Sequence, residues 1–368
     1  MKNVILVKTD IKRYRLSSYA LLIQKLLENR VKLVVYYTDA TAKEIEKGDN
    51  VQVLKDGGFF YRSIRIFNGR VIIYLISLKR LIIPDLVILV QSNAHILNIF
   101  IILLRRMFRK RTALWGHTRN FQAPSKESYL RRILEAYRVF VNRTADYWFS
   151  YTSKTTDDLI KIEFDQSKIK TINNSIELKT PMNLEDKFSK KGELNVLYCG
   201  ALYAEKQVDF ALYLAKELEG KPIRFTIAGS GPIEAELKKL AKSLDLKNVE
   251  FVGRIDGEAK HRAFMQADLT ILPGLVGLGI LESFYYGAPL LTLSSGKHSP
   301  EIAYFENEYN GLYLSEDVVT AAKQVLKLIS LPHVMQSLQT NCVRSYEKYS
   351  HKHFVQNIVD GIVECLKL

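Results

Sequence analysis

Short apolar runs alternate with longer segments whose apolar residues recur three and four apart. In the first half the runs are NVILV (3–7), KLVVYYT (32–38), LVILV (86–90), TALWGH (112–117) and YWFSYTS (147–153). A run apolar at nearly every position has both faces covered, the pattern of an interior strand in a parallel sheet. Between the first two lies SSYALLIQKLLENR, which sets Tyr19, Leu22, Ile23 and Leu26 on one helical face. DGGFFYR (56–62) reads as a turn leading into a strand, and helices are predicted over 95–110 and 127–143. The rhythm returns after residue 194. NVLYCGALYAEK, RFTIAGSGP, VEFVGR and LTILPGLVGLGILESFYYGAPLLTLSS each carry a strand into a glycine turn. TAAKQVLKLI and YEKYSHKHFVQNIVDGIVECLKL close the chain as helices. The polar interval 176–193 holds Pro181 and shows no steady period, so it predicts a linker.

Two blocks of strand–helix alternation predict an α/β chain of two Rossmann-like, doubly wound parallel-sheet domains facing each other across a cleft. The expected bounds are 1–178 for the first domain, 179–193 for the linker and 194–345 for the second. The last stretch, 346–368, is expected to be a helix crossing back toward the first domain. A chain of 368 residues is long for a single core, which agrees with two.

Charge separates the blocks. Residues 1–190 hold 34 Lys and Arg against 18 Asp and Glu, and residues 191–368 hold 19 against 21. The formal net charge of +14 therefore belongs to the first block, which suggests that the two blocks meet different partners. Nucleic acid, anionic lipid and a phosphorylated acceptor are all compatible with that block. Its basic clusters are KRYR (12–15), RRMFRKR (105–111) and RRILEAYR (131–138). No zinc finger, recognition helix or RNA-binding aromatic pair accompanies them, so nucleic acid is not the expected partner. An apolar helix running into Arg105, Arg106, Arg109 and Arg111, with Arg13 and Arg15 nearby, better fits an anionic membrane surface. The bland alternative is a buried helix whose basic end is solvated. Cys199, Cys342 and Cys365 have no metal or redox spacing, and a reduced cytoplasmic chain is expected. The opening MKNVILVKTD reads as a strand, not a signal peptide, and no window reaches the roughly 18 apolar residues of a spanning helix.

Candidate chemistry concentrates in PGLVGLGILES (273–283). Gly274, Gly277 and Gly279 let a ligand approach the backbone, and the amides around Gly277 and Leu278 open a helix where a phosphate can bind. Glu282, among apolar neighbours, is placed to accept hydrogen bonds from ribose hydroxyls. Gly200, Gly229, Gly231 and Gly253 end the other strands. Lys206 can reach a diphosphate or be an ordinary surface lysine. Arg254 can be structural or meet phosphate. His117 follows a glycine at a strand end, where sites of open α/β sheets collect, although a structural role is the alternative. Glu301 in HSPE (298–301) opens a helix and has a second possible role against sugar hydroxyls. No metal-binding motif is present, and neither a metal nor a cofactor is expected.

These residues carry a resemblance. GALYAEK (200–206), FTIAGSGPIEAELKKLA (225–241), VEFVGRI (249–255), LPGLVGLGILESFYYGAPLLT (272–292) and ENEYNGLYL (306–314) resemble the retaining nucleotide-sugar glycosyltransferases of the GT-B fold. The likeness lies in the large bacterial group 4, in a variant with a PG-x-VGL donor motif. WGHTRNF (115–121) is similar to the family's short motif ending in an active-site histidine. The resemblance implies a UDP- or GDP-sugar donor in the second domain and an acceptor in the first, the acceptor being a lipid-linked glycan of surface polysaccharide synthesis. It implies catalytic roles for His117, Lys206 and Glu282. It implies a peripheral place on the inner membrane face. Two positions depart from the family. Its donor signature has two glutamates, and the first falls on Gly274. Its usual arginine falls on Ala201. A sugar-nucleotide epimerase of the same fold is the rival enzyme, and a membrane or nucleic-acid scaffold the rival of another class. A dinucleotide oxidoreductase is disfavoured, since NVILVKTDIKRY has no glycine.

Overall fold

The computed structural model describes residues 1–39, 50, 51, 54, 56–66, 71–92, 95, 97–118, 129–178 and 192–367. The chain divides into two compact units. One comprises Met1–Glu177 with His351–Leu368, the other Leu178–Ser350. Most of the interval read as a linker lies outside the described residues, as do 119–121 of the WGHTRNF motif.

In the first unit seven parallel strands form one sheet. From one edge the order is Ile169–Thr171, Tyr147–Ser150, Arg111–Gly116, Leu86–Gln91, Lys2–Val7, Val31–Tyr37 and Gly58–Phe60. Alternate residues of the apolar runs serve opposite faces. Val4, Leu6, Leu33 and Val35 pack with helix Leu16–Glu28 and with Phe354, Val355, Ile358 and Ile362 of helix His351–Lys367. Ile5, Val7, Val87 and Leu89 face Ile99 and Ile102 of helix Asn98–Met107 and Val141 of helix Tyr129–Thr144. Two-sided burial is why these strands show no polar alternation.

The second unit has a six-stranded parallel sheet in the order Val249–Gly253, Ile223–Ala228, Leu194–Cys199, Leu269–Ile271, Leu290–Leu293 and Gly311–Leu314. In both sheets the order reverses between the first and fourth strands in chain order, which lie side by side, in the doubly wound sense. Ligands of such sheets bind beyond the carboxyl ends of the strands at that reversal. In the second unit those ends are Cys199 and Ile271, and they lead into GALYAEK and LPGLVGLG.

The closing segment differs from the single helix read in the sequence. Helix Pro332–Lys348 ends before Tyr349, and helix His351–Lys367 begins afresh in the first unit. Tyr349 is buried and stacks on Tyr304 of the second unit at 4.0 Å, which halts the periodic face there. The new helix starts on a buried hydrogen bond between His351 Nε2 and Ser18 Oγ at 2.9 Å.

Candidate functional site

At the reversal point of the second unit two loops are laced together. The amide of Gly274 donates to the Lys206 carbonyl at 3.0 Å, and Lys206 Nζ donates to the Leu275 carbonyl at 2.6 Å. Burial pulls the Lys206 ammonium down to a pKa of about 8, against an opposing effect of Glu301. Glu301 is itself buried, in the short helix Pro300–Tyr304. Lys206 is thus a half-buried cation of reduced basicity set against the glycine loop, close enough to Glu301 to feel its field.

The loop Pro273–Leu278 is held from its other side. The Val276 amide donates to His298 Nδ1 at 3.2 Å, and His298 Nε2 donates to the Leu293 carbonyl at 2.7 Å. The Ser299 amide donates to the Val276 carbonyl at 2.9 Å. Helix Gly279–Tyr285 then opens with Leu278 as its cap residue. A Cβ on Gly277 would meet only Ser299 Oγ, at 3.8 Å. The protein itself does not demand glycine there, and room is left for a ligand against the backbone.

Glu282 projects from that helix and pairs with Lys260 of helix Gly257–Gln266. Its side chain is 12% exposed. The pair lies beside Cys199 at the end of the first strand. Burial, then the Glu282 charge, push the Cys199 thiol up to about 12. Burial disfavours the charge of Lys260, but Glu282 and Cys199 outweigh it and raise its pKa. Ala201, at the position of the family's arginine, is exposed.

The remaining glycines have a packing explanation. A side chain at Gly229 would strike the Gly200 carbonyl, and one at Gly231 the Leu202 carbonyl. The two turns are bonded by Gly200 N–H to Ala228 O and Leu202 N–H to Ser230 O, both at 2.9 Å. Gly253 has a φ of +70°, which favours glycine on conformational grounds. Arg254 is exposed and bridges Asp256 at 3.1 Å.

In the first unit His117 follows strand Arg111–Gly116 and stands edge-on to Tyr151, with ring centroids 4.4 Å apart. Burial, aided by Lys8, depresses its pKa to about 3, so the imidazole is neutral at physiological pH. Lys8 lies over the Trp115 ring at 5.1 Å, and His95, likewise depressed to about 4 by burial and Lys8, belongs to the same group. Trp115 Nε1 and His95 Nε2 are buried with no hydrogen-bond partner among the described residues.

The six arginines read as an acceptor or membrane face do not share one. Arg105 is completely buried and donates to the carbonyls of Leu81, Pro84 and Arg111 and to Thr112 Oγ1. It closes the loop before strand Leu86–Gln91 and is unavailable to any surface. Arg15 bonds Ser175 O at 2.6 Å and Asn174, and lies over the Phe354 ring. Arg111 reaches the Cys365 carbonyl. Arg13, Arg106 and Arg109 are exposed. Lys260, His298, Lys8 and His95 are the neighbours that sequence reading missed. Lys260 and His298 act through contacts with residues distant in sequence or in loops, which leave no periodic signal. Lys8, directly after the first apolar run, did carry a positional cue.

Two Rossmann-type sheets in one chain, with the second reversal point lined by glycine turns, the half-buried Lys206 and the Glu282 carboxylate, have the GT-B glycosyltransferase fold. More narrowly, the family model of the glycosyl transferases group 1 matches residues 182–345, within the second unit. A D-rhamnosyltransferase of Pseudomonas aeruginosa is 30% identical over 118 residues, covering 31% of this chain and 30% of that protein. The chain thus matches about a third of that curated relative's length. The crystal structure of Anabaena HepE in complex with UDP shares the fold at a TM-score of 0.69 and 14% identity, over 99% of this chain and 100% of that one. A putative UDP-N-acetylglucosamine 2-epimerase from Listeria monocytogenes also shares it, at 0.58 and 13%, over 93% and 91%. The fold therefore does not by itself separate transfer from epimerisation. Among the described residues no helix is long and apolar enough to cross a membrane.

Proposed function

We propose that the protein is a retaining glycosyltransferase that moves a sugar from a nucleoside diphosphate sugar to an acceptor hydroxyl. The observation that carries this reading is the convergence of Lys206, the Pro273–Leu278 loop and Glu282 at one reversal point. Glu282 holds the ribose. Lys206 and the amides near Gly277 meet the negative charge that grows on the diphosphate as it leaves. The bond from the anomeric carbon to the diphosphate oxygen breaks with its electron pair on that oxygen. The acceptor oxygen bonds to the same face, and its proton passes to the departing phosphate. No metal is required for these steps. His117, a neutral imidazole, offers a hydrogen bond to the sugar at the reacting centre and no positive charge.

The acceptor we assign to the first unit is a lipid-linked glycan at the inner face of an anionic membrane. Phe100, Leu103 and Met107 of helix Asn98–Met107, with Phe108, are exposed, as are Ile133, Leu134 and Phe140 of the neighbouring helix. Arg106, Arg109, Arg132 and Arg143, on or directly after the same two helices, are exposed, with Arg106 paired to Asp146 and Arg143 to Glu163. Apolar side chains entering the interface and basic ones near anionic lipid, each worth about 1 kcal/mol, act together.

Incubation with a panel of UDP- and GDP-sugars tests the reaction. Transfer requires nucleotide release that depends on an added lipid-linked acceptor, with the anomeric configuration kept. Release of an epimerised sugar without acceptor would establish the epimerase instead. Sedimentation with anionic vesicles should fall with salt and with neutral Arg106 and Arg109 combined with Phe100→Ser and Met107→Ser. Equal recovery with neutral and anionic vesicles at low salt would remove the membrane assignment and leave the donor site standing.

A further inference from the structure

Position 274 is closed to any side chain in this protein. A Cβ there would collide with the Glu205 carbonyl and would lie 2.9 Å from Gln207 Oε1 and 3.0 Å from its Cγ. The space where a glutamate would begin is therefore taken first by the Glu205 carbonyl and then by the side chain of Gln207, both from the Lys206 turn. Gln207 sits in the left-handed region, at φ 51° and ψ 42°. That conformation is costly for a residue with a Cβ, and glycine would adopt it freely. Gln207 precedes helix Val208–Glu217, and its backbone is held there, its N–H donating to the Ala204 carbonyl at 3.0 Å and its carbonyl accepting from the Phe210 amide at 3.1 Å, yet its side chain makes no capping bond. The residue is exposed, and it directly follows the lysine that lies against the glycine loop. A strained, solvent-open amide at the mouth of a phosphate site is the kind of outlier that points to a ligand.

We propose that Gln207 is the residue that contacts the donor sugar, so that sugar choice is set from the Lys206 turn and not from position 274. This rests on the reading of the second unit as a nucleoside diphosphate sugar site. The amide differs chemically from the carboxylate whose place it takes. It is neutral and both donates and accepts, so it can pair with a hydroxyl and also with an acceptor-only oxygen such as an N-acetyl carbonyl or a uronate carboxylate. A glutamate would repel the latter.

The test uses the full chain and calorimetric binding of UDP, GDP and their glucose, N-acetylglucosamine, glucuronate and mannose conjugates. In Gln207→Ala and Gln207→Gly the bare nucleoside diphosphate should keep its Kd within twofold. The preferred sugar nucleotide should bind at least fivefold more weakly, which removes the difference between the two. Gln207→Gly should melt at or above the wild-type temperature, since it releases the backbone, so a loss there cannot be ascribed to unfolding. Gln207→Glu should discriminate against the glucuronate conjugate more than against the glucose one. Unchanged sugar-nucleotide affinity in both Ala and Gly variants, or equal weakening of nucleotide and sugar nucleotide, would overturn the proposal. If the wild type binds none of these nucleotides, the donor-site reading fails and takes this inference with it. If it binds them and the Gln207 variants do not discriminate, only the inference falls.

Discussion

Lys206 offers a quantitative check on the donor site. Its folded pKa is about 8, against 10.5 for an ordinary lysine. If a diphosphate binds through this ammonium, affinity must follow its protonated fraction. At pH 7 about nine-tenths of the lysine is charged and at pH 9 about one-tenth, so the dissociation constant should rise roughly tenfold across that interval. The diphosphate stays ionised throughout, because phosphate second ionisation lies near 6. Calorimetry at pH 8 in two buffers of different ionisation enthalpy should record uptake of about half a proton on binding. Lys206→Met should lose about 10–100-fold in affinity at pH 7, the range for a charge-assisted hydrogen bond of about 1.5–3 kcal/mol, and should lose the pH dependence. Stability gives a second readout. The folded pKa lies below the unfolded one, so the cost of keeping this lysine buried is fully present below pH 8. It disappears as pH rises to 10.5. Over that window wild type should gain about 3 kcal/mol relative to Lys206→Met in urea unfolding. Wild-type binding that is flat from pH 7 to 9.5, or an unaltered break in the methionine variant, would refute the role given to Lys206.

Glu282→Ala should weaken nucleoside diphosphate binding about tenfold, while a 2′,3′-dideoxy analogue binds both proteins alike; an equal loss for both ligands would remove Glu282 from the ribose. His117→Ala should lower turnover by about 10–100-fold by the same factor at pH 5.5 and 7.5, because the imidazole is already neutral at both; a ratio that changes near pH 6.5 would contradict its burial. Arg105→Met leaves several buried carbonyls without their donor and should cost about 3 kcal/mol in urea unfolding, whereas vesicle binding per folded molecule should not change. Gly361→Leu places a side chain where a Cβ alone would stand 2.6 Å from Phe149, and should destabilise the first unit by about 1–3 kcal/mol, seen as an earlier urea transition.

The strands were legible because both faces of each sheet are buried. Val4 and Leu6 serve one layer and Ile5 and Val7 the other, which prints an unbroken apolar run. The glycine turns were legible as strand ends, although at Gly229 and Gly231 what excludes a Cβ is a neighbouring turn and not a ligand, and Gly277 has room for one. What sequence could not show is side-chain destination. Arg105 stands in RRMFRKR as one basic residue among five, yet its place on the inward face of its helix sends it into the fold. The pairing of Glu282 with Lys260 joins residues on two separate helices whose spacing obeys no period. His298 looks like the start of a helix and is instead the clamp on the glycine loop.

The first unit is interrupted: its strands all precede Glu177, but its final helix arrives only after Leu178–Ser350. During synthesis one face of the first sheet, with Leu6, Leu33 and Phe149, therefore waits for Phe354, Ile358 and Ile362 while the intervening residues emerge. At about 5–20 residues per second that delay is roughly 10–35 s, far longer than collapse of the segment already made. The second unit is contiguous and can reach its native state within that pause. The nascent chain is thus expected to finish its inserted half first and to carry an uncovered apolar sheet in the meantime, the stage at which a holding chaperone would bind and at which a truncated message would yield an aggregating product.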